Sequence, residues 1–252
     1  MPRDEGAFRF SRSAVHLKGE TLAPILRLSY PVTAEKMLFA AGKVIVNSMA
    51  GAYGKLTAGA LGVSNNIGGL TTNWHSGMLD GASAVISQNR GAGEYRRTRH
   101  IFYWLLAVDI AIGVIGMTAV TFTLPWLAQI FAQSKESFDQ SFCNMIVSIH
   151  RWEMLGYITL GVNSAVNALM LGYGMAKRTL ALNLARVFAF RIPVLWYLQS
   201  CTAMGAEAVG VTMMVSNVLT GLCSILAAFP VLRDIRREEA ERTKEKEECV
   251  CS

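Results

Sequence analysis

The sequence predicts an all-α integral membrane protein: six transmembrane helices in one bundle, with both termini in the cytoplasm. Three observations carry that prediction. First, 52% of the 252 residues are hydrophobic and only 17% are charged, against about 25% charged in soluble domains. So few charges cannot cover a water-soluble globule of this size, and the mean hydropathy of +0.33 agrees. Second, the charge-free stretches 56–79, 110–134, 154–176 and 208–232 all reach the ~20 residues that cross a bilayer. Third, the basic residues fall almost entirely on one side of the topology these stretches imply.

The elements follow in chain order. The start has no apolar core of the signal-peptide kind, so no cleaved leader is expected. Residues 22–29, LAPILRLS, read as a short amphipathic helix at the membrane interface, within a cytoplasmic segment 1–30. The first span, about 31–53, is interrupted by Glu35, Lys36 and Lys43. Spans at about 57–84, 101–124 and 142–171 overlap the first three apolar stretches. The fifth, about 179–199, carries Arg186 and Arg191. The sixth is about 206–231. These six spans make a bundle over 31–232. The tail 233–252 begins RDIRREEAERTKEKEE, a solvated helix with opposite charges three and four residues apart.

Orientation follows from the positive-inside rule. With the N-terminus inside, the cytoplasmic segments 1–30, 88–100, 172–178 and 233–252 hold 17 of the 24 Lys and Arg. The outer loops hold Lys55 and Lys135. The net charge of +6 therefore reports topology, not nucleic-acid binding. The motifs GxxxxGK[ST], HExxH and GxSxG are missing, so no enzyme is expected. The five cysteines (Cys143, Cys201, Cys223, Cys249, Cys251) form no CxxC pair and suggest neither a disulfide framework nor a zinc site. Cys249 and Cys251 are either palmitoylation candidates or ordinary tail thiols.

Charges at bilayer depth are costly and by default face a bundle interior or a hydrated cavity. In the first span Lys36, Lys43 and Asn47 are spaced by seven and four residues, which puts them on one side of a helix. Glu35 sits at the edge of that stripe. Glu35 is either a candidate cation or proton site on a cavity wall or, with Lys36, a group at the cytoplasmic interface. Asn66, Asn73 and Asp80 recur every seven residues, a face that drifts by about 20° per step. They line a cavity or brace neighbouring helices. Asp109 has no sequence partner. Glu153, beside Arg151, reads as interfacial. Arg191 lies two residues before Pro193 and needs an acceptor: Asp109, Asp80 or a carbonyl freed by the proline. Asp109 and Arg191 are therefore expected to be structural. The glycines within spans, including Gly113 and Gly116, read as packing positions.

Residues 30–100 carry a recognisable series: a proline-led helix with a Glu and a YG turn in YPVTAEKMLFAAGKVIVNSMAGAYGKLTAGALGV, an Ala/Gly-rich long helix, then SQNRGAGEYRRTRH. This resembles the multidrug and toxic compound extrusion (MATE) transporters, with SQNRGAG at 87–93 the most specific piece. LMLGYGMAKRT, FRIPVLWYL and GAEAVGVTMMVSN resemble the family's later helices in the same order. The resemblance covers about 22–232. The leading amphipathic helix, the RIP element and the charged tail look like the C-terminal half of the twelve-helix family, hence one MATE-like lobe. The resemblance implies multi-pass residence in the plasma (inner) membrane. It also implies export of organic, often cationic, small molecules coupled to Na⁺ or H⁺, with no cofactor beyond that ion. Glu35 falls where many bacterial members carry an acid in the seventh helix. The family's acidic position in the tenth helix falls near Thr159, so Glu153 does not inherit it. The implied partners are membrane lipid, the organic substrate, and either a missing N-terminal lobe or a second copy. A lipid-linked saccharide flippase of the same superfamily is the alternative, favoured by Lys36, Lys43, Arg186 and Arg191. A non-transporting membrane fragment is the third reading.

Overall fold

The computed structural model describes residues 19–133 and 140–251. Residues 1–18, Lys135 and the side chains of Cys249 and Cys251 lie outside the described part. Among the described residues there are only helices: α1 (Gly19–Ala50), α2 (Lys55–Gly91), α3 (Tyr95–Gln133), α4 (Gln140–Glu153), α5 (Tyr157–Gly172), α6 (Ala176–Leu184), α7 (Ile192–Cys201) and α8 (Glu207–Cys251). A 3-10 turn, Met154–Gly156, joins α4 to α5 as one rod, and a π-helical stretch, Ala185–Arg191, joins α6 to α7.

Four rods are long and apolar enough to cross a membrane: Tyr95–Phe131, Gln140–Gly172, Ala176–Cys201 and Glu207–Arg242. Helices α1 and α2 are as long, but α1 carries Glu35, Lys36 and Lys43, and α2 carries a polar stripe from Asn65 to Asp80. α1 runs without a break from the expected interfacial stretch through Pro31 into the expected first span. Likewise α8 continues from the last apolar rod into the charged tail. There Arg99 at the start of α3 pairs with Glu239 at 3.0 Å.

The α2–α3 turn explains the SQNRGAG element. Gly93 adopts φ +71°, a conformation that only glycine reaches without strain. Arg90 reaches back to the α5–α6 turn, donating to the Tyr173 carbonyl at 2.7 Å and stacking 4.4 Å from its ring. Burial, with Glu238 nearby, pushes the Tyr173 phenol up to about 12. The ring is therefore neutral, and the contact is cation–π in kind.

α5 sits at the centre, against α2, α3 and α8. Apolar side chains gather in two clusters along its length. One includes Leu61, Ile67, Val120, Ile146, Ile149 and Met213; the other includes Ile86, Phe102, Val166, Leu169, Val231 and Ile235. Between them four helices place buried polar groups: His75 on α2, Asp109 on α3, Asn163 and Ser164 on α5, Asn217, Thr220 and Ser224 on α8. The bundle thus has a polar belt at mid-depth, closed by apolar packing above and below.

Glycines let the belt close. At Gly161 an added Cβ would lie 2.5 Å from the Asp109 carbonyl oxygen, so α3 and α5 meet backbone to backbone. Gly113 and Gly116 also have no room for a side chain, as the packing reading of these two positions expects.

Candidate functional site

A cavity of about 440 Å³ opens beside the polar belt. Its walls come from α1 (Glu35, Lys36, Lys43), α2 (Asn73, His75, Asp80), the end of α4 (Glu153), α5 (Asn163, Asn167) and the π-helical stretch (Arg186, Arg191). Of the residues singled out from sequence, Glu35, Lys43, Asn73 and Asp80 come together here, and Arg191 joins them. Asn47 and Asn66 lie on the same two helices but outside the lining, and both are exposed. Asp109 is fully buried behind the wall.

The partners differ from those expected. Arg191 takes neither Asp109 nor Asp80. Its Nε donates to Ser216 and its Nη2 to Asn217, both at 3.2 Å, so α8 supplies neutral acceptors in place of a carboxylate. Asp109 instead meets His75: Oδ1 lies 2.8 Å from Nδ1. The other atoms of that pair, His75 Nε2 and Asp109 Oδ2, are buried with no partner. Ser164 braces the pair by donating to the His75 carbonyl at 2.8 Å.

Glu153 is not interfacial. It shares the buried face of α4 with Ile146, Ile149 and His150, is 9% exposed and accepts from Ser64 at 2.6 Å. Ser64 has one proton to give. Given to Glu153, it leaves the serine oxygen to accept from His150 Nδ1, 2.8 Å away, while His150 Nε2 accepts the Tyr157 hydroxyl at 2.8 Å. Ser64, His150, Glu153 and Tyr157 form a closed buried network across α2, α4 and α5.

Residues that the sequence reading passed over connect the cavity to the belt. Asn183 of α6 donates to Glu35 Oε1 at 2.6 Å. Its own carbonyl accepts from Asn163 and Asn167 at 3.4 and 3.3 Å, and Ser224 donates to Asn163 at 2.8 Å. A polar chain therefore runs from α8 through α5 and α6 to the carboxylate on α1. Asn163 and Asn167 are four residues apart in an otherwise apolar run, which marks one helical face. That spacing was the available signal.

The π-helical stretch sets the cationic side. In an α-helix, residues five apart point about 140° away from each other. The wider i→i+5 winding brings both Arg186 and Arg191 to the cavity. Phe39 carries two cations: Arg186 Cζ lies 4.6 Å and Lys43 Nζ 5.2 Å from its ring centroid. Among the described residues no carboxylate lies within ion-pair distance of Lys36, Lys43, Arg186 or Arg191. The acids Glu35 and Glu153 are satisfied by Asn183 and Ser64 instead.

An all-helical bundle with membrane-length apolar rods, a central polar belt and a charged cavity marks a multi-pass membrane protein. The MatE family model matches residues 31–197, and the chain belongs to that family. Solved structures give the same fold. A crystal structure of MATE in complex with MaL6 superposes with a TM-score of 0.83 at 16% identity, covering 90% of this chain and 50% of that one. An outward-facing multidrug resistance MATE family transporter of the MOP superfamily gives 0.81 at 15% identity, with 90% and 50% covered. A MOP superfamily transporter from Pyrococcus furiosus, whose reversed binding-pocket polarity suggests a different function, gives 0.82 at 16%, with the same coverage. This chain spans about half the length of these transporters. No protein of curated function matches the sequence significantly.

Proposed function

We propose that the chain forms one lobe of a secondary active exporter in the plasma (inner) membrane, exchanging organic, often cationic, compounds for Na⁺ or H⁺. In this reading 31–232 is a six-span bundle with both termini inside, 1–30 a cytoplasmic segment with an interfacial helix, and 233–252 a cytoplasmic tail. The substrate or cation pathway is assigned to Glu35, Lys43, Asn47, Asn66, Asn73 and Asp80, with Asp109 and Arg191 as structural charges. The observation that carries the reading is Glu35: a half-buried carboxylate on the cavity wall, held by Asn183 at 2.6 Å. A carboxylate so placed can exchange a neutral partner for a cation, the requirement for coupling an ion to a substrate. A site between repeats near the bilayer midplane is the general logic of such transporters, so a second lobe, covalent or not, completes the cavity.

The decisive experiment reconstitutes the purified chain in proteoliposomes, alone and with an N-terminal lobe, and drives it with an imposed Na⁺ or H⁺ gradient. Exchange of a fluorescent organic cation in either preparation is the expected result. Its absence in both sinks the reading. One observation favours the flippase alternative: four basic side chains line the cavity without an ion-pair partner, and a pyrophosphate needs such donors. Lys43→Glu separates the two, abolishing flipping of a lipid-linked pyrophosphate while leaving export of an organic cation intact or raised.

A further inference from the structure

A second concavity lies away from the central cavity, between α3 and α8 on the outside of the bundle. Its volume is about 860 Å³. Phe102, Val166 and Ala228 form a buried floor, and Tyr103, Ile225 and Phe229 stand exposed as walls. At one end α8 contributes Arg233, Arg236 and Arg237, all exposed, with Asp234 the one acid in the lining. None of the three arginines has an ion pair or side-chain hydrogen bond among the described residues, although Arg99 nearby is paired with Glu239. Pro230 interrupts the backbone ladder of α8 between the apolar and basic parts of the groove.

The order of these parts follows depth. From Ile225 to Arg237 the helix rises about 18 Å, roughly the thickness of one leaflet's acyl region plus headgroup. The apolar walls fall within the apolar rod Glu207–Arg242 and the arginines toward its end. Basic pockets between spanning helices at the cytoplasmic surface are the recognised setting for anionic headgroups. An apolar slot continuous with a net positive rim matches a ligand that is apolar at one end and anionic at the other.

We propose that the α3–α8 groove is a binding site for one anionic phospholipid, its acyl chain along Ile225 and Phe229 and its phosphate on Arg233, Arg236 and Arg237. The site is independent of transport through the central cavity. A zwitterionic phospholipid fills the apolar part and also offers a phosphate, but its quaternary ammonium offsets that charge and leaves the three-arginine rim without a net counter-charge. A free phosphate meets the arginines but gains nothing from the slot.

The test is native mass spectrometry of the purified full chain in detergent, with phosphatidylglycerol, phosphatidylcholine or inorganic phosphate added at equal concentration. Phosphatidylglycerol adducts are expected at about tenfold lower lipid concentration than phosphatidylcholine adducts, from charge attraction at the rim. Phosphate alone should give none. The triple variant R233Q/R236Q/R237Q, all at exposed positions, should bind the two lipids equally. Ile225→Trp, which fills the slot and keeps the arginines, should lose both. Equal binding of the two lipids by the unaltered chain overturns the proposal. So does a preference that survives the triple variant, or a dimer in place of lipid adducts. Size-exclusion profiles identify any variant that has failed to fold, and the exchange assay on the same samples reports the transport reading separately.

Discussion

The most informative residue is Glu35, because everything near it is arranged to hold it without neutralising it. Asn183 donates to one oxygen, while the basic groups of the cavity stay beyond ion-pair distance. Glu35→Gln keeps the shape and the hydrogen bond but removes the charge. Under the transport reading it should abolish gradient-driven exchange and leave substrate binding within about threefold, a shift of under 1 kcal/mol. Equal loss of binding and exchange would place Glu35 in substrate recognition instead. The His75–Asp109 pair calls for a different expectation. It joins α2 to α3 inside the bundle, where such interhelical bonds are worth about 0.6–2 kcal/mol. Asp109→Ala should lower the thermal midpoint in detergent accordingly, and an unchanged midpoint would show that the pair contributes nothing to packing. At this scale the sequence revealed which residues were polar and which shared a helical face, as with Lys36 and Lys43. It could not reveal their partners. Asn183 and Glu35 are 148 positions apart, and nothing local in either segment encodes the other. Arg191 illustrates the same limit: charge alone suggested a carboxylate, whereas the packing of α8 brought Ser216 and Asn217.

At the scale of the helix, legibility depended on how far each segment departs from an even apolar pattern. The charge-free stretches coincide with long rods because hydropathy alone demands a helix in a bilayer, where every backbone group must be satisfied internally. The break between α4 and α5 was not legible, because a 3-10 turn leaves composition unchanged. Nor was the winding of Ala185–Arg191, since the pattern reading assumes 3.6 residues per turn. The second of these brings Arg186 and Arg191 to the cavity. There sequence periodicity failed, and there the cationic side of the site is built. The glycine contacts give a sharp element-scale prediction. Gly161→Ala forces α5 away from the Asp109 carbonyl and should cost about 1–3 kcal/mol in unfolding free energy. Gly62→Ala, with open space around the new methyl, should be neutral or slightly stabilising because alanine favours the helix. Equal effects of the two changes would contradict the close α3–α5 approach.

At the scale of the molecule, the proposed orientation can be read from a single thiol. Cys201 ends α7 and is exposed, whereas Cys143 is buried. In a C223S/C249S/C251S background, which leaves Cys201 as the one exposed thiol, a membrane-impermeant maleimide should label it in intact cells. Labelling that appears only after lysis would invert the topology. Half the length of the solved transporters superposes on nearly the whole of this chain. Helix α8 is the longest of the described helices. It runs 45 residues from the bundle into the tail without a break, and Arg99 clamps it to α3 at Glu239. A rod tied in this way is a pointer rigidly attached to its lobe. If the lobe rocks by 10°, the end of the tail, about 27 Å beyond residue 233, is displaced by about 5 Å. Motions too small to resolve within the membrane are thereby magnified beyond the bundle, where a probe on the tail can record them.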